Sequence, residues 1–599
     1  MTDQNDHARR LRRLRDELSR QGLDGFVIPR SDEHQGEYVA ASSERLAWIS
    51  GFTGSAGLAI VLAEAAAVFV DGRYTLQAAD EVDADLFHIR HLIDEPAVDW
   101  IAETLTSGDR LGYDPWLLTP DQVRRYETAC KRAGADLIAA ETNPVDAVWD
   151  DRPPSPAAAV MVLDDIYTGE TSSDKRRRIA ADLAAAEVAA AVLTAPDSIA
   201  WLLNIRGGDV PYTPFALSFA VVHADARVDW FVDDRKLNSD VRAALGNGVA
   251  VRPVSDLGAA LDDLAETKAR VRVDAASVPA WVAERLKDSG GRLDRGVDPC
   301  QLPKAMKNAC QVDGMRNAHI RDGAAMVAFL AWLDQEAPSG RVTEMAACDH
   351  LEALRRRNDL FQGLSFPTIS GSGPNGAIVH YRVTPTTDRT LGMGELFLVD
   401  SGAQYLDGTT DITRTVAIGT PTAAMRRHWT LVLKGHIGLA SARFPQGTSG
   451  SQLDILARQA LWSAGLDFDH GTGHGVGSFL SVHEGPHRIS KAPNRIDLAP
   501  GMVVSNEPGY YQTGAYGIRI ENLVAVTEMP RPVGGEIDML GFETLTLAPF
   551  DQRLVDRTLL TATEIGWVDD YHAHVRETLA PLVDAPTAAW LTEATVPLG

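Results

Sequence analysis

The amino-acid sequence predicts two related α/β domains followed by a larger α+β domain built on an antiparallel sheet. Three observations support this. Proline and acidic residues gather at "NPVDAVWDDRPPSP" (143–156) and around "GVDPCQLPKAMKN" (296–308), separating stretches of regular periodicity. "LAWISGFTG" (46–54) resembles "IAWLLNIRG" (199–207), and each precedes an apolar strand ending in an acid and an arginine, "VFVDGR" (68–73) and "WFVDDR" (230–235). A weak repeat of this kind is what duplicated domains leave behind. Past residue 312 a helical pattern gives way to short strands broken by Gly and Pro and interleaved with at least two more helices. The predicted boundaries are 1–150, 151–302 and 303–540, with a tail at 541–599.

Bulk properties narrow the function. A chain of 599 residues exceeds what one hydrophobic core serves. No stretch approaches the roughly eighteen unbroken apolar residues of a membrane helix. The first residues are rich in arginine but also carry Asp16 and Glu17, and they lack the apolar run of a secretory signal. The formal net charge of -25 argues against nucleic acid or acidic lipid as a partner, because both would be repelled over most of the surface. Four cysteines, Cys130, Cys300, Cys310 and Cys348, form neither a disulfide framework nor a zinc-knuckle spacing, so a reducing cytoplasm is the expected compartment.

In chain order, Leu11, Leu14 and Leu18 make a short helical stripe. Neither of the first two domains has a glycine-rich loop opening a helix, so neither reads as a nucleotide site. The third begins with "VDGMRNAHIRDGAAMVAFLAWLDQEA" (312–337), whose apolar face runs through Met326, Phe329 and Leu330. The buried strand "ELFLVD" (395–400) then ends in Asp400, and "DITRTVAIG" (411–419) opens the next with Asp411. Two carboxylates at adjoining ends of paired strands repel unless a cation or proton lies between them. Glu507 follows an apolar strand in "GMVVSNEPGYY" (501–511). "GIRIENLVAV" (517–526) alternates, with Arg519 and Glu521 on one face and Ile518 and Ile520 on the other.

Between these lies "HGTGHGVGSFLSVHEGPH" (470–487), with glycines at alternate positions from 471 to 477. That spacing fits neither the dinucleotide fingerprint nor a phosphate loop with its lysine and hydroxyl. Alternating glycines instead allow close backbone approach, leaving His474 against something bulky or charged. Taken singly, each acid reads as a solvated turn residue and His474 as structural. Together, four carboxylates and one imidazole suit hard or borderline divalent ions, and their charge balances two of them. A two-metal hydrolytic site follows, with a hydroxide as nucleophile and a metal as Lewis acid.

The chain resembles the pita-bread metallopeptidases, and within them the three-domain cytosolic Xaa-Pro aminopeptidases. The resemblance rests on "SDEHQGEY", "GFTGSAG" and "DGRYTLQA" in the first domain and "WLLNIRGGDVPYTPF" in the second. In the third it rests on "VDSGAQYLDGTTDITRT", "HGTGHGVGSFLSVHEGP", "NEPGYY" and "GIRIEN". It implies two creatinase-N-like α/β domains, a pita-bread catalytic domain, and a C-terminal extension (541–599) packed on the catalytic domain, as "GFETLTLAPFD" also indicates. By the same resemblance Asp400 holds one metal, Asp411 and Glu521 bridge both, and His474 with Glu507 completes the other. Manganese is the expected ion, with cobalt or zinc accepted by the ligand set. Glu507 doubles as a proton carrier.

His380, in "NGAIVHYRVT", resembles a histidine that hydrogen-bonds the scissile group, and His483 a second substrate-contacting histidine on the proline side. His474 belongs to the substrate cleft as well as to the metals. Arg73 of "DGRY" corresponds to an arginine contacting substrate from outside the catalytic domain, and is otherwise a solvated turn residue. Arg519 orients Glu521, meets substrate, or forms an ordinary ion pair. His470 lines the cleft or does not; the sequence leaves this open.

The implied reaction is release of the first residue from peptides with proline second, by attack of a metal-bridging hydroxide on the Xaa-Pro bond. A homodimer is implied too. Prolidase, restricted to dipeptides, is disfavoured by the duplicated first two domains. Creatine amidinohydrolase lacks the metal-binding acids present here, and non-catalytic pita-bread binding domains typically lose metal ligands.

Overall fold

The computed structural model describes residues 2–599, which form two compact units, 2–164 with 170–301 and 165–169 with 302–599. In the first unit, helix α1 (Thr2–Arg20) buries Leu11, Leu14 and Leu18, the stripe expected from their spacing. Strands β1 (Gly25–Pro29), β2 (Leu58–Leu62), β3 (Ala66–Val70), β4 (His88–His91), β5 (Arg110–Tyr113) and β6 (Asp136–Ala139) form one sheet in the order β4-β3-β2-β1-β5-β6. A second sheet repeats it. Strands β7 (Ala190–Leu193), β8 (Phe219–His223), β9 (Val228–Phe231), β10 (Val249–Arg252), β11 (Arg270–Val273) and β12 (Arg292–Arg295) run in the order β10-β9-β8-β7-β11-β12.

The strand directions also repeat. The pairs β1/β2 and β2/β3 are antiparallel, as are β7/β8 and β8/β9, and the remaining pairs are parallel. The two similar peptides close helices α2 (Arg45–Ser50) and α3 (Pro196–Leu203) at matching places, and the two acid-arginine endings follow β3 and β9. Duplication is therefore visible in topology as well as in sequence.

The long helix of the second unit, α4 (Ala309–Glu336), begins three residues earlier than the apolar stripe implied, because Asn308 and Gln311 form a capping box outside the apolar pattern. Helix α5 (Glu344–Arg355) follows, then a three-stranded antiparallel sheet of β13 (Ile369–Ser372), β14 (Glu395–Ser401) and β15 (Ile412–Ile418). Helices α6 (Ala423–Ala440) and α7 (Gly450–Trp462) pack together ahead of a larger sheet. That sheet contains β16 (Gly473–Gly475), β17 (Glu484–Ile489) and β18 (Val503–Asn506). A hairpin of β19 (Gly509–Gln512) and β20 (Tyr516–Arg519) precedes β21 (Asn522–Met529) and β22 (Met539–Thr544), which belong to the larger sheet together with the short edge strand Phe444–Pro445.

Two expectations change here. The alternating segment 517–526 is two strands, not one, because the chain changes partner at Ile520–Glu521. Ile520 N–H bonds Pro508 O and Glu521 N–H bonds Thr413 O. The boundary placed between 540 and 541 falls inside β22, which is paired along its length with β21. The C-terminal extension packs on the catalytic sheets through α8 (Ala562–Leu579), with Phe550, Val568, Tyr571 and Val575 in one apolar cluster with Trp429, Val432, Ile518 and Ile520. Each such side chain stabilises the unit by about 1.5–3 kcal/mol. Among the described residues no helix is long and apolar enough to cross a membrane.

Candidate metal centre and active site

The strand ladder places the two aspartates. Asp400 lies opposite Thr413 and Ser401 opposite Ile412, so Asp411, one residue before β15, comes beside Asp400 at the same end of the pair. Glu521 arrives from the break between β20 and β21, pinned by its N–H to Thr413 O at 3.2 Å and by Thr413 Oγ1 donating to its Oε2 at 2.8 Å. Glu507 follows β18, its N–H bonded to Thr472 O at 2.8 Å. His474 sits on β16 at a bulge in the pairing with β17.

The glycines act as their spacing implied at three of the four positions. A Cβ on Gly473 would lie 2.0 Å from Ser505 O, and one on Gly475 2.1 Å from Glu484 O. One on Gly477 would lie 2.7 Å from Leu480 Cβ, whereas at Gly471 the nearest atom would be 3.7 Å away, an ordinary contact, so the close approach runs from Gly473 to Gly477.

Oxygen and nitrogen atoms of Asp411, His474 and Glu521 all fall within 4.8 Å of one another. His474 Nε2 lies 3.4 Å from Asp411 Oδ2 and 3.5 Å from Glu507 Oε1. Its Nδ1 lies 3.0 Å from Gly475 O, which can only accept, so Nδ1 carries a proton and Nε2 is turned to the acids. Asp400 Oδ1, Asp411 Oδ1 and Glu521 Oε1 are buried without a hydrogen-bond partner. Burial, then the neighbouring carboxylates, push Asp411 and Glu521 well above the usual acid range. Burial also raises Glu507, against the opposing pull of His474 and Arg519. Unpartnered carboxylate oxygens converging on an imidazole nitrogen fit divalent cations, whose charge offsets the repulsion and whose coordination takes the open oxygens.

Arg519 is buried and, of the readings its position allowed, takes that of an ion pair. Its Nη2 donates to Asp400 Oδ2 at 2.6 Å, its Nη1 to Tyr511 Oη at 2.6 Å, and its Nε to Thr413 Oγ1 at 3.3 Å. It therefore orients Asp400 rather than Glu521. His470 joins the same chain of contacts, its Nε2 2.9 Å from Tyr511 Oη. His483 stacks edge-on against His474, with ring centroids 4.3 Å apart and planes at 80°. His380 is half-buried on a turn closed by Tyr381 N–H to Ile378 O. In the first unit Arg73 is held by Asp71 through Nε at 3.0 Å and Nη2 at 2.7 Å, which keeps its guanidinium charged despite burial.

Several supporting residues escaped the sequence reading. Ser505 accepts His474 N–H at 2.9 Å and donates to Glu507 Oε1 at 3.1 Å; its place two residues before Glu507 on one strand face was the available signal. Thr413 stands likewise two residues after Asp411. Arg414 is buried among acceptors rather than acids, donating to Thr413 O and Glu521 O and, across to the C-terminal extension, to Ala548 O, Pro549 O and Tyr571 Oη. Glu344, on α5, accepts from Ser372 N, Asn375 Nδ2, Tyr381 Oη and Arg389 N, and so holds the segment that carries His380.

Comparison with known proteins agrees with this geometry. Residues 313–528 match metallopeptidase family M24 and 538–598 the C-terminal region of peptidase M24. Residues 10–148 and 151–311 each match a creatinase/prolidase N-terminal domain. The chain is 39% identical to aminopeptidase P1 of Lotus japonicus, over 96% of this chain and 97% of that one. It is 41% identical to a probable Xaa-Pro aminopeptidase P of Tuber melanosporum, over 99% of both. Among solved structures, the X-prolyl aminopeptidase of Caenorhabditis elegans, described as a cytosolic enzyme with a di-nuclear active site, superposes with a TM-score of 0.95 at 36% identity, covering 99% of this chain and 100% of that one.

Proposed function

Since the chain belongs to metallopeptidase family M24 and is a Xaa-Pro aminopeptidase within it, we propose that it frees the N-terminal residue of peptides with proline second at the cluster of Asp400, Asp411, His474, Glu507 and Glu521. The observation that carries this is the cluster of Asp411, His474 and Glu521, with Asp400 on the strand beside Asp411 and one buried oxygen of each of the three acids unpartnered. Two divalent ions, manganese first, would be held by these five side chains. When bound they supply a water-derived nucleophile at neutral pH and polarise the scissile carbonyl.

The protein's own residues do the rest. A Xaa-Pro bond is a tertiary amide with no N–H to grip, so recognition falls on the free amino terminus and on the carbonyl. The acidic cluster attracts the substrate's amino group. Glu507 takes a proton from the attacking water on a carboxyl oxygen and returns it to the departing imino nitrogen. His380 and His483 donate imidazole N–H groups to the carbonyl oxygen as negative charge develops there and to the proline side. Arg519 and Tyr511 fix the Asp400 carboxylate, and Thr413 fixes Glu521. On the family resemblance, Arg73 contacts substrate and the enzyme acts as a cytoplasmic homodimer.

Purified protein with Mn²⁺ should cut Arg-Pro-Pro well and the dipeptide Arg-Pro poorly. Preference for the dipeptide would replace this reading with prolidase activity.

A further inference from the structure

Among the buried ionic contacts outside the metal centre, one joins three charged side chains next to a site residue. Lys304, in the short helix Gln301–Ala305, and Lys307 just beyond it converge on Glu484, some 180 residues later in the chain. Lys304 Nζ lies 3.0 Å from Glu484 Oε2, and Lys307 Nζ bonds Glu484 Oε1. All three side chains are almost wholly buried, at 3%, 1% and 0% exposed. Three charges out of water carry a desolvation cost of several kcal/mol each, and apolar residues of equal volume often hold a fold as well. A cluster of this kind is therefore better placed to fix a position than to add stability.

What it fixes is adjacent. Glu484 follows His483 directly and opens β17, where it pairs with Gly475, the neighbour of His474. Gly475 leaves no room for adjustment, since a Cβ there would meet Glu484 O at 2.1 Å and His487 Cε1 at 2.4 Å. Lys307 is itself anchored, its N–H bonding Gly501 O at 3.0 Å. The segment before His483 is a tight loop closed by Gly477 N–H to Ser481 O and held by Gln404 Nε2 to Leu480 O at 2.7 Å. The His483 ring, edge-on to His474, thus takes its place from a backbone whose last fixed point is the Glu484 carboxylate.

We propose that Lys304 and Lys307, acting through Glu484, are positioning residues that set His483 beside the substrate. The proposal rests on the reading of His483 as a substrate contact. Their position in "PCQLPKAMKN", the segment that enters the catalytic domain, means that this linker also builds the active site.

A double-mutant cycle on the full-length, manganese-loaded enzyme tests it. Lys307→Met should lower kcat/KM for Arg-Pro-Pro by about tenfold or more, with bound metal unchanged by atomic emission, whereas in a His483→Ala background the same change should cost less than about twofold. Lys307→Arg, which restores the cation, should recover most of the loss. Equal losses in both backgrounds, or wild-type kinetics in folded, metal-loaded Lys307→Met, would overturn the proposal. Should Lys307→Met fail to fold, Glu484→Asp, which keeps the charge but shortens its reach, goes through the same cycle: a loss confined to the His483 background supports the proposal, and equal losses or none overturn it. A wild-type enzyme inactive on Arg-Pro-Pro would overturn the functional reading, and this proposal with it.

Discussion

Asp411→Asn should have opposite effects on the metal-free and metal-loaded protein. Asp411 is 4% exposed, its Oδ1 has no partner, and burial together with Asp400 and Glu507 makes its charged form costly. In stripped protein, asparagine of the same shape removes one of four crowded carboxylates, and relief of a poorly satisfied buried charge should stabilise the second unit by about 1–3 kcal/mol. In a unit of this size that is a rise in Tm of at least about 2 °C. With manganese present the sign reverses, since the wild type gains binding energy that the variant cannot: at a thousandfold excess over Kd the wild type gains about 4.1 kcal/mol, more than the whole of that range. Differential scanning calorimetry of both proteins, with EDTA and with Mn²⁺, gives all four values, and activity should fall by several orders of magnitude. A variant less stable than wild type in EDTA, or equally stabilised by Mn²⁺, would refute the reasoning.

Other predictions follow from the same contacts. Glu344→Gln replaces an acceptor oxygen with a donor facing Tyr381 Oη and Arg389 N, or else Ser372 N; we expect a loss of about 1–3 kcal/mol and a lower kcat through a loosened His380, read by denaturant unfolding and kinetics. His436, His487 and His572 are buried neutral, their values lowered chiefly by burial to about 3, about 4 and about 4. Because the unfolded chain takes up these protons first, stability should be full above about pH 6.5 and decline toward pH 4, by up to about 3 kcal/mol per histidine; flat stability across that window would contradict the burial account. Ending the chain after Thr544 removes Ala548, Pro549 and Tyr571, three of the groups that satisfy Arg414. An under-satisfied buried cation costs about 3–5 kcal/mol, so the second unit should fail to fold, as circular dichroism and proteolysis would register.

The candidate site was more legible in the sequence than its supports. Asp400, Asp411, Glu507 and Glu521 end or interrupt apolar strands, where a buried charge demands a partner, and that local signal survives without any knowledge of the fold. The duplicated α/β topology was legible for a similar reason, since its repeated helix and strand endings are short and local. The break at Ile520–Glu521 was not. Both flanking strands alternate in phase, so nothing in the pattern marks the point where the chain leaves β19 for β18, and both faces prove buried. For Arg519 the pattern left an ion pair open without naming its partner: sharing a strand face with Glu521 counted for less than the reach of a long side chain to Asp400. Lys304, Lys307 and Glu344 look like ordinary surface charges in sequence, because their partners lie far along the chain.

The most direct test of the central claim is a titration of Mn²⁺ into metal-stripped protein, following bound metal and arginine release from Arg-Pro-Pro and Arg-Ala-Ala together. The account predicts no release without metal, activity on the proline peptide that saturates as the second ion binds, and none on Arg-Ala-Ala. Release by the stripped protein, saturation with a single ion, or equal cleavage of the two peptides would contradict it.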